Sequence, residues 1–505
     1  MHPTLLYTCT FFITVTALLW RYFRVPSTIP SNIPRIPIWV NFYAWYHDLS
    51  VIELYDAFYR KIMEEHGAVV VWFTGAWCIL VTKPEYLVEI FRNEDTYPKV
   101  GVNVRGKGSL MGIFAGENII NSSKPTWATL TKVMKPGFLK SFDAQAIHAK
   151  AKKVPERLLQ AQSEVGKGKG VPATQWMEKY AQDVMGLCLF NFDLQALDEP
   201  RVPYAPLLGQ IIPTIFSRWA FYFPTLDIPG RYFLSRKATL DNIAKFDSLL
   251  NEIVESTLNA DAEKQPKVVS HMLKRALDNG QLTPELYRYN LRMSFMFGHD
   301  TTAIFMGLTM YVLGNNTVLQ DRLRTEVLQS TGKTIHQLPY LTSLLYEVLR
   351  LYPPVTEVLN HTVSRPTALG GKVTIHPGTW LGWNAYGVHT NPAIWGPDAL
   401  EVRPERWGDT VKDIQASFRL QSTKGNYIPF SLHARKCLGQ SLVLTEVKLL
   451  MFEMVRQLKW VVDPTYKLNL GGVTFTMLLG LRLIVEELEL DSRDTVADEK
   501  SQMHT

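Results

Sequence analysis

Apolar positions recur at helical spacing along much of this chain. The clearest pattern runs from Pro284 to Leu313, where Tyr287, Leu291, Phe295, Ile304, Leu308 and Tyr311 mark the apolar positions of one long helix. Thr283 suits the N-cap and Pro284 the first helical position, which sets its start. Two more helices are predicted over Leu338 to Leu351 and Leu438 to Gln457. Short β-branched and aromatic runs predict strands at Ala68 to Phe73, Cys78 to Thr82, Lys372 to Ile375 and Thr379 to Trp383. The last two are joined by the turn signal His376-Pro377-Gly378, and further strands are expected near Val473 to Leu479 and Leu481 to Val485. No linker or repeat interrupts residues 43–490, so these elements predict one large domain, mainly α with a smaller β portion. The polar stretch 491–505 reads as a frayed tail.

The amino terminus has a different pattern. Thr4 to Trp20 carries no charge, and a helix of that length rises about 26 Å, close to the thinner hydrocarbon core of the endoplasmic reticulum. No basic region precedes it and no small-residue cleavage site follows, so residues 1–22 read as a retained transmembrane helix. Arg21, Arg24 and Arg35 follow the span while only His2 precedes it. That asymmetry predicts a single-pass protein of the endoplasmic reticulum membrane with the rest of the chain in the cytosol. Prolines 26, 30, 34 and 37 make residues 23–42 a semi-rigid spacer.

Composition narrows the classes. Across 505 residues the net charge is +6, far short of what nucleic-acid binding would suggest and compatible with an acidic protein partner or a membrane. Cys9, Cys78, Cys188 and Cys437 show no paired spacing, which argues against a disulfide framework or zinc cage and for a reducing compartment. Cys78 and Cys188 sit in apolar sequence and read as small core residues. Two glycine patterns carry little: GVNVRGKGS at 101–109 lacks the hydroxyl and leading strand of a phosphate loop, and GKGKG at 166–170 reads as a solvated turn.

Four segments bear on chemistry. Phe297-Gly-His-Asp-Thr-Thr302 puts Asp300 and Thr301 inside a buried helix, where polar groups need partners; a back-bonded hydroxyl bending the helix explains Thr301 equally well. Glu347 and Arg350, three apart, share a helix face, a spacing that surface ion pairs also use. Val402-Arg-Pro-Glu-Arg-Trp407 supplies Arg406 as a second guanidinium for Glu347. Phe430-Ser-Leu-His-Ala-Arg-Lys-Cys437-Leu-Gly439 sets one thiol among cations and a glycine.

In this order the four segments resemble the cytochrome P450 family of haem-thiolate monooxygenases across nearly the whole chain. The resemblance implies haem b as cofactor and Cys437 as the axial thiolate of its iron, kept ionised by cations and backbone amides. Phe430 would pack beside the sulfur, Gly439 would let the backbone come close, and Arg435 would pair with a propionate. Trp127 would donate to a propionate. Thr131 stands where the family has a basic residue, so the neighbouring Lys132 is the expected cation. His361 would take another propionate-binding place. Asp300 and Thr301 would be catalytic, guiding protons to bound oxygen, while Glu347, Arg350 and Arg406 would be structural. Electrons would come from an NADPH-cytochrome reductase docked on a face containing Lys132, Lys135, Lys140 and Lys436.

Two positions depart from the family pattern. His433 replaces a glycine of the cysteine loop, a costly exchange if the residue has positive φ. Phe297 replaces a small residue, and its ring either crowds the space above the iron or turns into the core. The block from Gly370 to Ala399 is most similar to fungal members, dityrosine-forming oxidases in particular. That similarity implies fungal secondary metabolism and oxidative coupling of phenolic, tyrosine-derived molecules. The alternatives are hydroxylation of an apolar terpenoid or polyketide, and a non-catalytic haem sensor or carrier.

Overall fold

The computed structural model describes residues 3–140, 142–224, 227, 236–260, 267–330, 332–472 and 474–488, so the predicted tail lies outside the described residues. In chain order the elements used here are α1 (Pro3–Phe23), β1 (Ala68–Phe73), β2 (Ala76–Val81), α2 (Lys124–Leu139), α3 (Ala144–Val165), α4 (Thr174–Met185), α5 (Arg236–Ala260), α6 (Pro284–Asn315), α7 (Pro339–Leu351), β3 (Glu357–Thr362), β4 (Trp380–Asn384), α8 (Gln440–Gln457), β5 (Leu458–Val462) and β6 (Arg482–Glu487). The fold is mainly helical with small sheets around its margin, as the apolar periodicity implies.

The three long helices fall within a few residues of their predicted ends. Thr283 caps α6 by accepting the amide of Leu286, and Pro284 follows in the first turn. α6 runs through the centre of the larger core, and most of its side chains are buried. Helix α4 lies against α6 at close approach: a Cβ on Gly298 would stand 2.7 Å from Met185 Cγ. Arg292 on α6 forms a two-pronged ion pair with Asp247 of α5, at 2.9 and 2.6 Å, and also donates to the carbonyls of Ile113 and Phe114. Asn290 accepts the amide of Ile119 at 2.9 Å. These bonds tie the loop around residues 113–119 to the central helix.

The main sheet has the order β1-β2-β4-β3. β1 and β2 are antiparallel, β2 and β4 parallel, and β3 antiparallel to β4 with a bulge between Leu359 and His361. Here the sequence reading needs correction. The strands on either side of His376-Pro377-Gly378 do not pair with each other: Val373–Ile375 pairs with Thr367–Leu369, and β4 enters the main sheet. The true hairpin loop is Gly370-Gly371-Lys372, whose two glycines have positive φ, 58° and 67°, which glycine adopts without steric cost.

The amino-terminal expectations also change. Among the described residues no helix is long and apolar enough to cross a membrane. Helix α1 is present, but threonines at 4, 8, 10, 14 and 16 dilute its apolar character and Arg21 falls in its last turn. The proline-rich stretch is not a free spacer, because Ile29, Ile33 and Ile36 are buried. Its backbone joins β1, with Ile36 donating to Val70 O at 2.9 Å and Val70 donating to Pro34 O at 2.8 Å. Prolines cannot donate, but their carbonyls still accept, so the segment can cover a sheet edge. GVNVRGKGS holds a short helix at Val102–Arg105 with no strand before it, and GKGKG is the turn after α3.

Candidate active site

Cys437 stands just before α8, and its amide donates to Phe430 O at 2.9 Å, which closes the loop. Its sulfur accepts the backbone amides of Gly439 and Gln440, at the positive end of an 18-residue helix. Burial pushes the thiol pKa up, and those two amides oppose the shift. The side chain nevertheless keeps open surface, unlike Cys78 and Cys188, which are buried; none of the four cysteines forms a disulfide. Burial raises Cys188 to about 12, so it is inert as a nucleophile. Phe430 is 9% exposed and packs in the larger core. A Cβ on Gly439 would meet Phe138 and Cys437 Sγ at ordinary contact distances, 3.8 and 3.9 Å, so packing within the protein does not itself require glycine there.

His433 has φ 51°, and Ser431 has φ 63°. The loop therefore keeps a left-handed backbone at the position of the missing glycine and bears its cost, roughly 1–2 kcal/mol for an L residue. The buried Nε2 of His433 has no partner, and burial followed by the nearby Arg92 and Lys436 lowers its pKa.

Beside this loop lies a cluster of buried cations. Arg435 donates from Nε and Nη2 to Glu94 at 2.6 and 2.9 Å, stacks its guanidinium 4.2 Å from the Trp127 ring, and leaves Nη1 buried without a partner. His361 donates from Nδ1 to Tyr97 O at 2.8 Å, and its Nε2 is buried without a partner. Burial and the neighbouring cations Lys99 and Arg435 hold that imidazole well below its usual pKa. Lys99 completes the group. It is 7% exposed and pulled down to about 7 by burial and then by Arg435, with Glu94 opposing. The cluster has one carboxylate for two cationic side chains, and two ring or guanidinium nitrogens remain unpaired.

Lys99 was not foreseen, because nothing in YPKVG distinguishes it from a solvated lysine. Its place comes from tertiary pairing, since residues 96–100 run beside β3, with Val100 donating to Asn360 O and Thr362 donating to Pro98 O, both at 3.0 Å. Lys132 is not part of the cluster. It is exposed, about 140° around α2 from Trp127, whereas Thr131 one turn on shares the tryptophan's face and buries its hydroxyl.

Further out, Glu347 and Arg350 are wholly buried and joined by two bonds, Nε to Oε2 at 2.9 Å and Nη2 to Oε1 at 2.8 Å. Arg406 Nε at 3.2 Å, the Arg403 amide at 2.9 Å and Trp407 Nε1 at 3.1 Å also donate to Glu347. Arg350 spends its other hydrogens on the carbonyls of His389, Ala399 and Glu401. The network fixes residues 389–407 against α7, and His389 Nε2 accepts the Ile428 amide at 2.8 Å just ahead of the cysteine loop.

On α6, Phe297 and Thr301 are one turn apart on the same face, both partly open, and Phe297 packs against the larger core. Asp300 lies 2.8 Å from His299 Nε2. Thr302 is buried with its hydroxyl unpartnered.

A sequence model described as Cytochrome P450 matches residues 30–474. The chain belongs to the cytochrome P450 family. As a P450 monooxygenase it implies a haem-thiolate cofactor, and the residues present fit one: an open thiol facing two amides, next to the unpaired buried donor Arg435 Nη1 and the unpaired His361 Nε2, which can donate to a second carboxylate once that carboxylate's charge holds a proton on it. Among curated relatives, the chain is 39% identical to "Cytochrome P450 monooxygenase xanG" of Aspergillus fumigatus over 92% of this chain and 88% of that protein. It is 30% identical to "Cytochrome P450-DIT2" of Saccharomyces cerevisiae, covering 94% and 97%. A solved cytochrome P450DA mutant haem domain shares the fold with TM-score 0.72 at 20% identity, covering 91% of this chain and 98% of the other.

Proposed function

We propose that this P450 monooxygenase binds haem b through Cys437 and oxidises a small phenolic, tyrosine-derived molecule in fungal secondary metabolism, joining two such molecules by oxidative coupling. The observation that carries the haem assignment is the open thiol of Cys437 beside the unpaired Nη1 donor of Arg435 and the unpaired Nε2 of His361, which becomes a donor when a carboxylate partner holds a proton on it. Cys437 would hold the haem iron through its sulfur, with the Gly439 and Gln440 amides stabilising the thiolate charge. Arg435, His361, Lys99 and Trp127 would hold the propionates. Bound there, haem supplies dioxygen binding and its reductive activation. Thr301 would donate a hydrogen bond on the distal side, and Asp300 would pass protons to it. Coupling would be favoured over hydroxylation by the part of Phe297 that stays open on the Thr301 face, which would limit the space in which a hydroxyl is returned to substrate. Turnover under isotopically labelled dioxygen separates the two. Coupling leaves the product unlabelled, and hydroxylation of an apolar terpenoid or polyketide puts label in it.

Electrons would come from an NADPH-cytochrome reductase. Lys132, Lys135 and Lys436 are exposed and suit an acidic partner, whereas Lys140 is partly buried with its pKa lowered by burial and does not serve. Helix α1 would hold the protein at the endoplasmic reticulum membrane, catalytic domain in the cytosol, through the exposed Phe11, Phe12, Ile13, Leu18, Leu19 and Trp20. Retention of an α1-deleted form in alkali-washed microsomes would overturn that role.

A further inference from the structure

Two hydrogen bonds of one buried imidazole set a protonation state. His299 is 3% exposed, and its Nδ1 lies 2.7 Å from Phe295 O one turn earlier. A carbonyl only accepts, so Nδ1 carries a hydrogen. The other nitrogen, Nε2, lies 2.8 Å from Asp300 Oδ1. A neutral ring with its hydrogen on Nδ1 would set a bare lone pair against a bare carboxylate oxygen. The contact therefore needs one more hydrogen, held on the ring or on the carboxyl.

The surroundings sustain that extra proton. Burial alone opposes an imidazolium, but Asp300, the Phe295 carbonyl and Glu178 of α4 outweigh it, and the His299 pKa lies above its ordinary value. Glu178, on the exposed edge of α4, is itself raised by burial and then by Asp300, while His299 opposes. The other charges of that helix face are engaged elsewhere: Lys179 lies over the Trp176 ring, and Asp183 is bound by Lys150 at 3.1 Å. Asp300 keeps 45% of its side chain exposed, so one end of the pair is buried in the α4–α6 contact and the other is open beside Thr301.

We propose that His299 and Asp300 share a stored proton that Asp300 delivers on the distal side, with Glu178 supplying the charge that keeps it there. The inference rests on the haem-thiolate reading of the site and deepens it. In the transfer, the His299 Nε2–H bond breaks as an O–H bond forms on Asp300, leaving a neutral imidazole, and solvent returns the proton. No electrons move. His299 is a positioning residue acting through Asp300.

The test uses holoenzyme in the reduced carbon monoxide form, labelled with carbon-13 at histidine Cε1. The resonance lost in His299→Gln is assigned to His299. It is expected to remain protonated at neutral pH, to titrate above the ordinary value of about 6.5, and to titrate lower in Glu178→Gln. In turnover, product per NADPH consumed is expected to fall several-fold in His299→Gln and to lose the pH dependence of the parent. A His299 resonance that is neutral at pH 7 and indifferent to Glu178→Gln overturns the proposal, as does normal coupling at every pH in His299→Gln. If that variant fails to load haem, a solvent-exchange assignment of the parent spectrum and the Glu178→Gln shift still decide. The thiolate carbonyl spectrum of the same samples reports separately on Cys437, so failure of the haem-thiolate reading is distinguishable.

Discussion

Removing the Glu347 carboxylate should cost more than any comparable change outside the cysteine loop. Glu347 and Arg350 are both fully buried, and the carboxylate collects five donors: two from Arg350, one each from Arg406 and Trp407, and the Arg403 amide. In Glu347→Ala, Arg350 keeps three backbone carbonyls but loses its counter-charge. Breaking a buried pair in this way costs about 3–5 kcal/mol. Glu347→Gln does little better. With its oxygen at the Oε1 position it keeps three bonds, but its NH2 then faces Arg350 Nε–H and Trp407 Nε1–H, both donors. The control is Arg403→Ala. That side chain is 52% exposed and pairs with Asp398 at the surface, so its loss should cost less than about 1 kcal/mol. Urea unfolding of the three variants, with haem absorbance as the signal, measures the differences. If Glu347→Gln unfolds within about 1 kcal/mol of the parent and binds haem normally, the network does not hold residues 389–407 in place.

Other consequences can be checked separately. His433→Gly relieves a left-handed φ of 51° and should stabilise the cysteine loop, by about 1 kcal/mol, read as a higher unfolding midpoint with an unchanged carbonyl spectrum. Lys99→Met and His361→Leu should each speed haem transfer to apomyoglobin, whereas Lys132→Met should leave it unchanged. His389 is held down to about 3 by burial and then by Arg350, below its unfolded value, so the unfolded chain takes up the proton first as pH falls. Its contribution is intact above about pH 6.5 and is lost on acidification toward 3, with a slope near 1.4 kcal/mol per pH unit that His389→Gln should abolish. Thr301→Ala should retain NADPH consumption while product per NADPH falls, and equal coupling would remove its assigned role.

Much of this site was legible in the sequence because its key residues sit in short local patterns. The i, i+3 spacing of Glu347 and Arg350 needed only a helix to bring them together, and the Thr283-Pro284 start of α6 is local capping chemistry. The positive φ at His433 followed from a glycine expected there. Lys99 and Glu94 were illegible for the opposite reason: they reach Arg435 and His361 only when residues 94–100 lie beside β3, hundreds of positions away in the chain. Lys132 follows Thr131 directly in the chain but lies on another face of α2 from Trp127, a separation that only the helical geometry reveals. The proline-rich segment misled because prolines disfavour regular pairing, although the isoleucines between them had a core to enter. His299 stood in view as the unassigned residue of its motif, and only the 2.7 and 2.8 Å contacts give it a protonation state.

Replacing Cys437 by serine and recording the carbon monoxide difference spectrum of the reduced protein bears on the whole scheme. The parent should show the red-shifted band of a thiolate-ligated haem, and the variant should lose that band together with turnover while its unfolding midpoint in the apo form stays close to the parent's. A serine variant with the parent's band and turnover would contradict it.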